Sequence, residues 1–79
     1  MYWTYVLKSQ SSGVFYVGYT SDLKMRLKQH NSGRGKFTRT KGPWELFHTE
    51  KFHEETDAVK RERQIKGWKS RAAIERLKF

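Results

Sequence analysis

The sequence contains no cysteine and a single proline, and only eight of its 79 residues are acidic. Without cysteine, neither disulfides nor thiolate metal centres can hold the chain together. That composition is compatible with a reducing compartment. No apolar stretch approaches the roughly 20 residues needed to cross a bilayer. The start, Met1-Tyr2-Trp3-Thr4, lacks the basic residues and apolar run of a signal peptide. The expectation is therefore a soluble, cytoplasmic protein. A chain of this length is read as one domain, residues 1–79. A domain this small buries only about 60% of the surface its unfolded chain exposes, so its core is thin and each large apolar side chain matters.

What the sequence has is positive charge. Seventeen Lys and Arg give a net charge of +9. Fifteen of them fall in two stretches. One lies between Leu23 and Trp44 and holds no acid; the other runs from Lys60 onward, with only Glu62 and Glu75 against it. A polyanion is the natural partner, and counterion release would supply much of the affinity. The plain alternative is a solvated basic surface, but small domains more often carry a net charge of magnitude about 2–8. A membrane surface is not expected, because no segment pairs a basic helix face with a broad aromatic one.

There is no internal repeat and no low-complexity tract. Tyr2 to Leu7 and Val14 to Thr20 are aromatic and β-branched, which suits strands. The cluster Ser9-Gln10-Ser11-Ser12-Gly13 joins them as an antiparallel hairpin. Both runs are apolar at nearly every position, which predicts a central hairpin covered on both faces. Ser21 or Asp22 can cap a helix carrying Leu23, Leu27 and His30 on one stripe, with Asn31-Ser32-Gly33 ending it. Arg34 to Pro43 reads as a basic loop. Trp44 to Phe52 reads as a third strand, with Trp44, Leu46 and Phe52 available to the core. Glu54 to Asp57 opens a second helix that runs to about Gly67, and Ser70 can cap a last helix carrying Ala73, Ile74 and Leu77. The order β-β-α-β-α-α predicts an α+β domain, a three-stranded antiparallel sheet with helices packed on it.

Four features could carry chemistry, and each has a structural alternative. Tyr5 and Tyr16 can approach each other on paired strands, with Gly18 on the face of Tyr16 leaving room for something to come close; they could equally be ordinary strand aromatics. Arg26 and His30, four residues apart, are neighbours on one helix face. That face turns toward the sheet, unless Arg26 only reaches outward from its edge. Glu62 falls on the apolar stripe of Ala58 and Ile65, so its carboxylate needs a basic partner or a hard cation. Lys36, Phe37, Arg39, Lys41 and Trp44 interleave cations with aromatics, as suits phosphate contact and base stacking, or form a solvated loop with an aromatic tucked into the core.

At these residues the chain resembles the GIY-YIG nucleases, and most of all small standalone bacterial members similar to the nuclease domain of excinuclease C. The resemblance rests on Tyr5, Tyr16-Val17-Gly18-Tyr19-Thr20, Arg26, His30-Asn31-Ser32-Gly33, Lys60-Arg61-Glu62 and Ile65-Lys66-Gly67-Trp68-Lys69. It covers nearly the whole chain. Trp3 and Thr4 stand where the family's first motif has glycine and isoleucine, Tyr19 stands where a lysine is common, and the late asparagine has no clear counterpart. The resemblance implies an endonuclease that hydrolyses phosphodiester bonds in DNA with one divalent metal, Mg²⁺ or Mn²⁺. It implies Tyr5, Tyr16, Arg26, His30 and Glu62 as catalytic residues, with Glu62 holding the metal. Gly18, Tyr19, Lys36, Arg39 and Lys41 are candidate nucleic-acid contacts. DNA is expected ahead of RNA, and a targeting protein partner is possible in principle but unnamed by the sequence. A second reading is a nucleic-acid-binding module that kept this fold and lost effective catalysis.

Overall fold

The computed structural model describes residues 1–32 and 42–78. Three strands, β1 (Tyr2–Ser9), β2 (Phe15–Thr20) and β3 (Trp44–Phe52), form one antiparallel sheet in the order β2-β1-β3. Helix α1 (Leu23–Asn31) follows β2; α2 (Glu55–Gly67) and the short α3 (Arg71–Glu75) follow β3, and a 3₁₀ turn (Arg76–Lys78) closes the order. The predicted α+β architecture is the one found. Its hairpin needs one correction: only β1 is central, and β2 is an outer strand. Apolarity on both faces of β2 reflects helices above and below, not a neighbour on each side.

Strand alternation divides the residues between two faces. Tyr5 pairs with Gly18 and Leu7 with Tyr16, while Val6 pairs with Val17 and Thr4 with Tyr19. On the first face Tyr5, Leu7 and Trp44 are buried against Leu23 and Leu27 of α1. On the second, Val6, Val17 and Ile65 are buried together with Phe15, Phe47, Trp68, Ile74 and Leu77 around them. The pairing of β1 with β3 shifts between Val6 and Leu7, leaving Phe47 as the extra residue. Phe47 turns into the second cluster, edge-on to Phe15 at 5.0 Å. Leu46, expected in the core, is instead 44% exposed on the outer strand.

The helix ends follow from local chemistry. Asp22 caps α1, its carboxylate accepting from the Met25 amide at 3.0 Å, and Ser70 caps α3 by accepting from the Ala73 amide at 3.2 Å. The end of α1 is docked by Asn31, which donates to the Trp44 carbonyl at 3.1 Å and accepts from the Trp44 amide at 2.6 Å. This pair of bonds imitates one rung of a β-ladder and so fixes α1 to β3. On the other face the Thr4 hydroxyl donates to the Ala58 carbonyl at 2.7 Å, tying β1 to α2.

Candidate active site

Four elements bring the five candidate residues toward one phenol. Tyr5 is on β1, Tyr16 on β2, Arg26 and His30 on α1, and Glu62 on α2. The Tyr5 hydroxyl and His30 Nε2 share a hydrogen bond of 3.0 Å inside the fold, both residues being buried. The Tyr16 ring lies 4.8 Å from the His30 ring and 6.4 Å from that of Tyr5. Trp44 closes the group from β3, with its ring 6.4 Å from Tyr16.

The glycine in the second strand has a definite function in this packing. A Cβ on Gly18 would stand 2.6 Å from the Tyr5 hydroxyl oxygen and 2.7 Å from its Cζ. The patch expected to be open above Gly18 is thus filled by the Tyr5 ring, and Gly18 is itself buried. Gly18 shapes the site from beneath rather than presenting a surface to a ligand. Tyr19, its neighbour, faces the opposite side of the sheet by strand alternation. Lys36, Arg39 and Lys41, with Phe37, lie outside the described residues.

Charge and burial set the proton affinities. Burial raises the Tyr5 phenol well above the ordinary tyrosine value. Nearby Tyr16 pushes it the same way, Arg26 pulls it down, and Glu62 pushes it up again. Tyr5 therefore keeps its proton at neutral pH. The His30 imidazole is lowered, chiefly by burial and then by the Arg26 guanidinium, so it favours the neutral ring. Arg26 is exposed, not turned into the core, and acts on both groups from the stripe's edge. Glu62 comes from the helix covering the opposite face of the sheet, yet its charge reaches Tyr5.

Glu62 is the residue that could hold a cation. Its side chain is 16% exposed, and its ion pair with Lys66 is long at 3.6 Å, to a lysine 53% exposed. Such a pair is loosely held and displaceable. Among the described residues no three or more His, Cys, Asp or Glu side chains gather into a metal cluster. One carboxylate, completed by water and substrate oxygens, suits a hard ion such as Mg²⁺ or Mn²⁺, which keeps several waters. It does not suit the closed four-ligand site of a structural zinc.

Reading the residues singly missed two contributors. Asn31 fixes the end of α1 and with it His30, and Thr4 anchors α2, which carries Glu62. Thr4 did leave a signal, a lone hydroxyl within an apolar strand. Asn31 left its place at a helix end and in the His30-Asn31-Ser32-Gly33 run of the resemblance.

A three-stranded sheet between helices thus gathers two tyrosines and a histidine on one face, with an exposed arginine on the same helix as the histidine. The profile of the GIY-YIG catalytic domain matches residues 1–76, and the chain belongs to that family. A UPF0213 protein of Halobacterium salinarum is 44% identical over 67 residues, which cover 84% of this chain and 86% of that one. A UPF0213 protein of Bacillus pumilus is 46% identical over 65 residues, 81% of this chain and 65% of its own length. The solution structure of a UPF0213 protein from Bacillus halodurans has 38% identity and a TM-score of 0.59, covering 98% of this chain and 82% of that one.

Proposed function

We propose that this protein is a divalent-metal-dependent endonuclease that hydrolyses phosphodiester bonds in DNA. One observation carries the reading: groups from three other elements gather on Tyr5, His30 of α1 by a hydrogen bond and Tyr16 of β2 by its ring at 6.4 Å, with the charges of Arg26 on α1 and Glu62 on α2 in reach. A core needs no such convergence of ionisable groups, and strongly perturbed groups gather where chemistry is done.

In this reading Glu62 holds one Mg²⁺ or Mn²⁺ together with water. When bound, that ion supplies polarisation of the phosphate and charge stabilisation at the departing 3′-oxygen. Arg26, exposed beside the buried cluster, bonds a phosphate oxygen and offsets the charge that grows there. Tyr16 takes the proton from the attacking water. Tyr5 keeps its own proton and shares a hydrogen bond with neutral His30 Nε2, which holds the Tyr5 ring across Gly18 and beside Tyr16. His30 is accordingly a positioning residue. The product is a nick with phosphate on the 5′ end.

The binding-module reading draws on one feature: Thr4, at a position of the first motif, is used to tie β1 to α2. A nicking assay on supercoiled plasmid with Mg²⁺, Mn²⁺ or chelator separates the two. Wild type is expected to nick only with metal, and Glu62→Gln and Tyr16→Phe each to lose at least about 100-fold in rate. Salt-sensitive binding by wild type without any nicking would move the assignment to the module.

A further inference from the structure

A groove of about 530 Å³ runs between the outer strand β2 and the junction of α2 with α3. Its floor includes Phe15, Val17 and Ile74, and its walls carry Lys66, Lys69 and Arg71. The floor is apolar and the rim is cationic. The groove adjoins the candidate active site, because Tyr16 contributes to its lining and Lys66 is the ion-pair partner of Glu62.

The cations are placed by the backbone at some cost. The residue after the α2 C-cap is Lys69, at φ +49°, the left-handed region where glycine is favoured. Gly67, two residues earlier, is spent inside the helix. A lysine is thus held in a conformation that suits glycine, and its side chain lines the groove. Among the described residues Lys69 has no carboxylate partner, whereas Arg71 is paired with Glu75 at 3.3 Å. Arg71 also lies over the Phe15 ring, 5.9 Å from its centroid.

We propose that this groove receives a single-stranded stretch of the nucleic-acid substrate, next to the bond to be cut. The inference rests on the nuclease reading and extends it to the form of the substrate. Cations at the rim match phosphates, and an apolar floor matches the faces of bases, which a duplex keeps stacked and hidden. The volume lies within the range of about 300–1,000 Å³ typical of small-ligand sites, a size that suits a nucleotide or two rather than a double helix. An acidic peptide pairing with the open edge of β2 is the competing occupant. The favoured substrates are then DNAs with a frayed, flapped or gapped strand beside the target bond.

The test measures binding in chelator, so that it does not depend on cleavage. Fluorescence anisotropy compares a labelled dT12 strand, a blunt duplex hairpin and a glutamate-rich peptide, using wild type, Lys69→Gly and Arg71→Gln. Wild type is expected to bind the single strand more tightly than the hairpin. Each substitution is expected to weaken single-strand binding roughly three- to tenfold and to leave hairpin binding nearly unchanged. Lys69→Gly is also expected to raise Tm, because it relieves the left-handed lysine; its loss of binding then cannot come from misfolding. Amide shifts on adding dT6 should appear at 14–17, 65–66 and 69–74. Equal affinity for strand and hairpin, unchanged binding in both variants, or tighter binding of the peptide would each overturn the proposal. The plasmid assay reads the nuclease reading separately: nicking with a silent groove removes only this inference, and strand binding at the groove without nicking removes only the catalysis.

Discussion

The two faces of the sheet are held together by different chemistry. The face under α2 and α3 is aliphatic and aromatic, centred on Val6, Val17 and Ile65, with the buried Thr4 hydroxyl bonded to the Ala58 carbonyl and its charged groups at the margin. There Arg61 donates from Nε and Nη2 to the two Glu50 oxygens at 2.9 and 3.0 Å, and His48 Nε2 lies 2.8 Å from Glu50. The face under α1 places a hydrogen-bonded tyrosine and histidine in its core beside Leu7 and Trp44. Apolar burial contributes about 25 cal/mol per Å² without directional demands, whereas a buried polar pair contributes little net and is expensive to break. The face under α2 and α3 is therefore built for stability. The face under α1 gives part of a thin core to groups with perturbed proton affinities.

This contrast can be broken in order of expected effect. The largest is a separation of function from stability. Glu62→Gln should abolish nicking while leaving Tm within a few degrees of wild type. Ile65→Ala should lower stability by about 2–4 kcal/mol and leave the nicking rate per folded molecule intact. Paired thermal melts and plasmid assays check both, and an Ile65→Ala protein that stays folded but cannot nick would erase the distinction between the faces.

Next is Gly18→Ala. Its new methyl would meet the Tyr5 ring, so Tyr5 or the strand must shift, at a cost of about 1–3 kcal/mol. The Tyr5–His30 bond should be disturbed, visible as a changed His30 ring titration by NMR. A Gly18→Ala protein with wild-type stability and an unchanged His30 would show that the close approach is not real.

The smallest effect is on pH. Burial pushes the Glu50 carboxyl up, but its bonds to Arg61 and His48 more than offset this, and its value falls below the usual 4.5. The folded state then holds fewer protons than the unfolded one, so this stability is present above about 4.5 and is lost as pH falls through the folded value. His30 is also lowered, so the unfolded imidazole takes its proton near the usual 6.5 while the folded one resists. Stability should decline as pH drops below that point. Both slopes have the same sign, with Glu50→Gln removing the lower limb and His30→Gln the upper. A Tm that stays flat or rises between pH 7 and 4 would contradict both assignments.

Much of the fold was legible in residue patterns. The span of β3, the caps at Asp22 and Ser70, and the end of α2 at Gly67 follow from local preference, which short-range sequence encodes directly. The outer position of β2 was not legible, because apolar residues on both faces report helices above and below and are silent about lateral neighbours. Leu46 was misplaced for a related reason. The bulge at Phe47 changes which residues face inward, and no local signal marked it.

The sequence by itself determined the type and order of the elements, the basic charge, and the residue types gathered at the site. Local periodicity and capping act over a few residues, and charge is a sum that needs no geometry. Only the tertiary structure decided that Gly18 makes room for Tyr5, that His30 is buried against it while Arg26 stays outside, and that Asn31 docks α1 on β3. These outcomes depend on contacts between strands and helices distant along the chain, set by register and packing rather than by any one segment's preference.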